Sequence, residues 1–266
     1  MLNFFQNLNP VMQAFIATLF TWFITLLGSS LIFVFKKINK PILDKMLGIS
    51  AGVMLAASFW SLLSPAISQA NNIHSNKIIA IAICIAGFLA GGILLYISDK
   101  LFQKYESKFA NNNHKQSFML ISSITIHNIP EGLAVGVAFG SILYNLDGAT
   151  LISSLMLTLG IGIQNFPEGL AVSAPLLRNG MSKKKAFFFG QLSGIVEPIS
   201  GIIGALLVLK IRLLLPFLLS FAAGAMIYVV VNELVPESQE NDNKPLITIY
   251  TLIGFIIMMT LDVLLG

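Results

Sequence analysis

Two matching ten-residue segments hold most of the polar chemistry in the middle of this chain. Residues 126–135 read IHNIPEGLAV and residues 163–172 read IQNFPEGLAV, and both lie within long apolar runs. An ionisable side chain in such a run is costly to keep there, so it is usually functional. The polar residues of the two segments are therefore candidates for ion binding or catalysis.

Their spacing brings the polar side chains together on a helix. His127 and Glu131 are neighbours at i,i+4 and Asn128 and Glu131 at i,i+3, so all three share one helical face. The second segment repeats this geometry with Gln164, Asn165 and Glu168. The proline before each glutamate cannot donate the helical hydrogen bond, which frees a backbone carbonyl one turn earlier. Proline-kinked helices with carboxylate, imidazole and amide groups at membrane depth predict an ion site.

A third glutamate, Glu197, stands beside Pro198 in another apolar run. Three ionised carboxylates in a low dielectric repel one another, so the group needs bound cations or protons. Protonated, purely structural carboxyls are the alternative interpretation. Because lysine and arginine are absent from the interiors of these three runs, a divalent cation is the simplest source of the missing charge. Oxygen ligands with one imidazole suit Zn²⁺, Mn²⁺, Fe²⁺, Co²⁺ or Cd²⁺ and disfavour Cu(I).

The composition shows what must position these groups. The chain of 266 residues is 56% hydrophobic and 11% charged, with a mean hydropathy of +0.83, whereas soluble domains carry roughly 25% charged residues. We predict an all-α polytopic membrane protein with a single transmembrane domain over residues 1–266. Eight apolar segments are long enough to cross a bilayer. They span residues 11–35, 44–66, 77–98, 117–143, 149–177, 185–209, 214–236 and 246–265.

The basic residues orient these spans. Thirteen of the sixteen lysines and arginines fall in or beside the loops that follow spans 1, 3, 5 and 7, which predicts that this side is cytoplasmic. Both termini are then extracytoplasmic in the cell (inner) membrane. Because the net charge of +4 comes from juxtamembrane residues, it does not indicate nucleic-acid binding. Residues 99–116 form the longest predicted loop and are expected to be flexible.

The two motifs fall on consecutive spans, 4 and 5, which cross the membrane in opposite directions. Like motifs on oppositely directed helices predict inverted pseudo-symmetry about an axis in the membrane plane, a common arrangement in transporters. The expected architecture is therefore eight helices, with helices 4 and 5 kinked by proline around a metal site. Glu131 and Glu168 should lie close together.

These motifs resemble those of the ZIP family of metal transporters, and of its bacterial GufA-like branch in particular. The resemblance rests on residues 127–132 (HNIPEG), 164–169 (QNFPEG) and 191–198 (QLSGIVEP), in that order along the chain. It implies a transporter that moves divalent metal, with zinc foremost, into the cytoplasm as one helix bundle slides against another. A homodimer in the lipid bilayer is a further expectation. No catalytic residue or catalytic cofactor is expected.

The resemblance also implies which residues hold the metal. The first site would consist of His127, Glu131, Gln164 and Glu168. A neighbouring site would consist of Asn128, Asn165 and Glu197, with Glu131 and Glu168 bridging the two. Some relatives carry aspartate in place of Asn165, so the second site has less charge in this protein.

Two other functions are compatible with an intramembrane metal. A metal-dependent hydrolase would need a general base beside the ion, typically in a His-Glu-x-x-His helix, and this motif is absent from the sequence. A non-transporting metal sensor would need an effector domain, and the eight spans leave no segment long enough for one. Transport is therefore the favoured interpretation.

Overall fold

The computed structural model describes residues 5–34, 40–106, 113–144, 149–240 and 243–265. These residues form helices and turns and contain no strand. Eight long helical units follow one another in the order of the predicted spans. They are α1 (Pro10–Val34), α2 (Lys40–Ile73), α3 (Lys77–Glu106), α4 (Asn113–Ser141), α5 (Leu151–Arg178), α6 (Lys183–Lys210), α7 (Arg212–Ser238) and α8 (Lys244–Leu265).

Seven of these units, within the described residues, are long and apolar enough to cross a membrane. The exception is α5, whose length is sufficient because 28 residues span about 42 Å at 1.5 Å per residue. The second motif and several serines lie in α5 and lower its mean hydropathy. The protein is therefore all-helical and polytopic, with one helix whose polar residues must be covered by its neighbours.

The predicted loop over residues 99–116 is wrong at both ends. Helix α3 continues to Glu106 and α4 already begins at Asn113, and Asp99 is buried. Residues 107–112 lie outside the described part of the chain. The prediction failed because hydropathy marks the apolar core of a membrane, whereas backbone hydrogen bonds continue a helix beyond that core.

The helices pack as two groups of four. In the first group α1 lies along α5 and α4 along α6, and in the second α3 lies along α7 and α2 along α8. The same four pairs result when each helix is exchanged for its counterpart in the other half of the chain. The counterparts are α1 and α6, α2 and α7, α3 and α8, and α4 and α5. The inverted pseudo-symmetry therefore extends beyond the two motif helices to the packing of all eight.

Helices α2 and α7 share a further feature that the sequence analysis missed. Each contains a π-helical turn, at Ser58–Leu63 and Val230–Leu234. Each turn is followed at its second residue by a proline, Pro65 or Pro236. A proline cannot bond the carbonyl four residues earlier, and that carbonyl lies inside the π turn in both helices. Because α2 and α7 are counterparts in the inverted arrangement, their matching π turns support the inverted pseudo-symmetry.

Glycines let the motif helices approach their neighbours closely. A Cβ atom at Gly132 on α4 would collide with the backbone of Glu197 on α6, and one at Gly169 on α5 would collide with the carbonyl oxygen of Thr25 on α1. Each of these glycines directly follows a motif glutamate. The backbones therefore meet beside Glu131 and Glu168, and this contact fixes where both carboxylates lie.

Candidate metal site

The seven predicted ligand residues lie in one region, where α4, α5 and α6 meet. Six are buried, with exposed fractions of 3% or less: His127, Asn128, Glu131, Gln164, Asn165 and Glu197. Glu168 is partly exposed. The three carboxylates are close enough to repel one another, since Glu131 interacts electrostatically with both Glu168 and Glu197. Helices α4 and α5 both continue through their motif prolines.

In the part of the chain that the structure describes, five buried oxygen atoms of this region accept no hydrogen bond. These atoms are Oε2 of Glu131, Oε1 of Glu168, Oε1 of Gln164, and Oδ1 of Asn128 and Asn165. We call them the acceptor cluster. An unsatisfied buried polar atom costs about 1–3 kcal/mol, so the cluster needs a positive or hydrogen-donating partner. A divalent cation bound by carboxylate and amide oxygens meets that need.

Hydrogen bonds within the region orient these oxygens. Nε2 of Gln164 donates to Oε1 of Glu131 across 2.6 Å, which links α5 to α4. The bond occupies one oxygen of Glu131 and leaves the other in the acceptor cluster. Asn128 lies beside Glu168, but neither its Nδ2 nor its Oδ1 makes a hydrogen bond within the described residues. Amide and carboxylate oxygens thus remain available together.

Glu197 differs from the other two glutamates because both of its oxygens are satisfied. Asn165 Nδ2 lies 2.9 Å from Oε1 and 3.0 Å from Oε2 of Glu197. The hydroxyl of Thr21 on α1 also donates to Oε2. The sequence analysis missed Thr21 because α1 carries no polar motif and the contact joins residues far apart in sequence.

His127 faces two acidic residues that the prediction did not include as ligands. Its Nε2 lies 3.4 Å from Oδ1 of Asp99, and its Nδ1 lies 2.9 Å from Oε2 of Glu233, although this nitrogen is out of line for a hydrogen bond. Asn232 Nδ2 donates to the other Asp99 oxygen at 3.0 Å. Asp99, His127 and Glu233 could together hold a metal ion, since their ligand atoms lie within 4.8 Å of one another.

A cavity of about 290 Å³ lies at the opposite end of the helices. We call it the outer vestibule because the predicted orientation places that end outside the cell. The hydroxyl of Ser61 lies 2.8 Å from each oxygen of Asp262 in its wall. Its other polar walls come from Ser64, Ser68, Gln69, Ser141, Ser153 and Ser154. Ser141 is the last residue of α4 and lies ten positions after Glu131, which corresponds to about 15 Å along a helix.

Known proteins are similar in sequence to this chain over most of its length. The family profile described as ZIP Zinc transporter matches residues 110–262. The protein named Zinc transporter ZIP11 from Xenopus tropicalis is 40% identical, with 97% of this chain and 98% of that protein aligned. Zinc transporter GufA from Myxococcus xanthus is 32% identical over 94% of this chain and 98% of its own length.

The match confirms the resemblance that was based on three motifs, because it extends to relatives aligned from end to end. Those relatives are named as zinc transporters, in a vertebrate and in a bacterium. With its helical fold and its inverted pair of motifs, this chain belongs to the ZIP zinc transporter family.

Proposed function

We propose that this protein transports divalent metal ions, with zinc foremost, across the cell membrane into the cytoplasm. The acceptor cluster carries this proposal, because five buried oxygens without a donor come from the two inverted motifs, which are joined by the Gln164–Glu131 hydrogen bond. The names of its relatives support zinc as the cargo. Fe²⁺, Mn²⁺, Co²⁺ and Cd²⁺ share the same ligand preferences and would compete with zinc.

The ion would bind between the carboxylates of Glu131 and Glu168, with amide oxygens from Asn128, Gln164 and Asn165. Two carboxylates neutralise one divalent ion, and the neutral amides complete the coordination without adding charge. Such a mixed site holds an ion less tightly than a closed cage of four thiolates, which suits release. Glu197 adjoins the set through its bonds to Asn165.

Polar groups at both ends of the site suggest a route. The outer vestibule would admit hydrated ions beside Asp262. Buried apolar side chains of α4 and α5, such as Val137 and Ile161, separate the vestibule from the acceptor cluster. At the other end, Glu233 is 29% exposed and would lead the ion past His127.

The direction of this route depends on the predicted orientation, which labelling can test. In a Cys84→Ala background, a cysteine at the exposed Lys184 should react with a membrane-impermeant thiol reagent only after the cells are lysed. A cysteine at the exposed Ser75, on the other side, should react in intact cells. The reverse pattern would place both termini in the cytoplasm and exchange the entrance with the exit.

Metal affinity should fall in acid. Metal ligands must be deprotonated, so protons compete with the ion for the carboxylates of Glu131 and Glu168, and for His127 as the ion passes it. Apparent affinity should therefore drop as the pH falls from about 7 to about 5.5. His127→Ala should weaken binding and flatten part of this profile, as measured by uptake at several metal concentrations and pH values. An unchanged profile in this variant would argue against His127 as a ligand.

Flux measured with purified protein tests the proposal. Proteoliposomes that contain the protein and a trapped zinc-sensitive dye should show zinc entry above that of empty liposomes, and Glu131→Gln should abolish the difference. A metal-dependent hydrolase or a non-transporting sensor would bind zinc without moving it. Binding without flux would therefore reject transport and favour one of those alternatives.

A further inference from the structure

The acceptor cluster includes oxygens from two of the three intramembrane glutamates, and Glu197 contributes none. Glu197 is fully buried, as are its partners Asn165 and Thr21. Its two oxygens accept hydrogen bonds from the Asn165 amide at 2.9 and 3.0 Å, and Oε2 accepts another from the Thr21 hydroxyl. Both oxygens of Glu197 are therefore engaged by protein donors, which makes them less available to an ion.

These contacts fix the orientation of the Asn165 amide. Its Nδ2 faces three acceptors: both oxygens of Glu197, and the backbone carbonyl of Thr21 at 3.3 Å. The reversed amide would place an oxygen against the same three acceptors, which is strongly unfavourable. Asn165 Oδ1 must therefore point away from Glu197, where it is buried and accepts no hydrogen bond.

We infer that Thr21 and Glu197 are positioning residues that aim the Asn165 carbonyl oxygen at the transported ion, and that Glu197 does not bind the ion itself. This inference rests on the proposed transport site. Groups that do not touch the metal but hydrogen-bond to one of its ligands often affect metal affinity nearly as much as the ligand itself. The role differs from the sequence prediction, in which Glu197 was a ligand of a second metal.

The arrangement also sets how many ions bind. With Glu197 occupied by hydrogen bonds, Glu131 and Glu168 supply two negative charges, which match one divalent ion. A second ion would have to displace the Asn165 and Thr21 donors from Glu197 and would be repelled by the first ion at short range. One ion per chain is therefore expected.

Neighbouring threonines on α1 offer a matched control. Thr18 is also fully buried, but its hydroxyl bonds only to carbonyls of its own helix, those of Ala14 and Phe15. Thr21 makes a similar bond to the Thr18 carbonyl, at 3.0 Å, in addition to its contact with Glu197. Thr18→Val therefore reproduces the loss of an own-helix hydrogen bond without touching Glu197.

Calorimetric titration of the purified protein with Cd²⁺ tests the inference. Wild type should bind one ion. Thr21→Val should still bind one ion but roughly 10–100-fold more weakly, the usual effect of removing a group that orients a ligand. Thr21→Ser should restore the affinity because it keeps the hydroxyl, and Thr18→Val should match wild type. Equal affinities of Thr21→Val and Thr18→Val, or two equally tight ions in wild type, would overturn the inference.

Asn165→Asp supplies a test that does not need the Thr21 variants to fold. Ionised aspartate cannot donate to Glu197, so the two carboxylates would face each other and require a cation or a shared proton. In titrations at increasing pH, where the shared proton is lost, stoichiometry should rise from one ion to two, and a value that stays at one throughout would contradict the role of Asn165. Glu131→Gln distinguishes the proposed metal site from the positioning role of Thr21 and Glu197. If it left binding unchanged, the proposed site itself would fail, whereas failure of the Thr21 comparison alone would reject only the positioning role.

Discussion

Replacing either Glu131 or Glu168 by glutamine is expected to reduce metal uptake at least about 100-fold while folded protein remains in the membrane. Changes to groups that only support a metal ligand cost roughly 10–100-fold, and a charged ligand should matter more. Glutamine keeps the shape of the side chain and one carbonyl oxygen but removes the charge. Each glutamate contributes one oxygen to the acceptor cluster, so neither can replace the other.

Uptake of radioactive zinc by cells, normalised to the amount of protein in the membrane, measures this effect. Glu240→Gln is a suitable control, because Glu240 is an exposed residue whose ion pair with Lys40 lies at the surface. This variant should transport at the wild-type rate within about twofold, since exposed ion pairs contribute little. Wild-type uptake by Glu131→Gln or Glu168→Gln would show that the ion binds elsewhere.

Adding a single methyl group at Gly132 or Gly169 should nearly eliminate the folded protein. The new Cβ would collide with backbone atoms, of Glu197 in one case and of Thr25 in the other, and a backbone cannot rotate away as a side chain can. Overpacking a core usually costs about 1–3 kcal/mol, and a clash between two helix backbones should cost more. The yield of monodisperse protein in detergent and its thermal unfolding temperature would report the loss.

Gly92→Ala provides the comparison for those two variants. A Cβ at Gly92 would lie 3.7 Å from the carbonyl oxygen of Gly224, an ordinary contact. This variant should retain the yield and unfolding temperature of wild type. If Gly132→Ala and Gly169→Ala were equally stable, the close approach of α4 to α6 and of α5 to α1 would be incorrect.

The sequence was sufficient to predict the eight helices and the meeting of the two motifs. Apolar runs locate helices in membranes reliably because the backbone must satisfy its own hydrogen bonds there. The repeat of Glu131 as Glu168 then indicated inverted helices, and the packing of all eight helices agrees. Residues in the same motif share a helical face, so their proximity required no tertiary information.

The sequence alone could not predict which side chains from other helices pack against the motif residues. Asp99 was assigned to a loop because it follows an apolar run, yet it contacts His127 on another helix. Thr21 lies in a helix with no motif, and its side chain resembles the other threonines of α1 until Glu197 is placed against it. The π turns in α2 and α7 likewise depend on where prolines leave carbonyls unbonded.

Crystals of the protein grown with Cd²⁺ would test the central claim most directly, through the anomalous scattering of the ion. We expect one strong peak in contact with the oxygens of Glu131 and Glu168, close to those of Asn128, Gln164 and Asn165, and none bonded to Glu197. A peak held only by Asp99, His127 and Glu233, or no peak within the acceptor cluster, would contradict the proposed transport site.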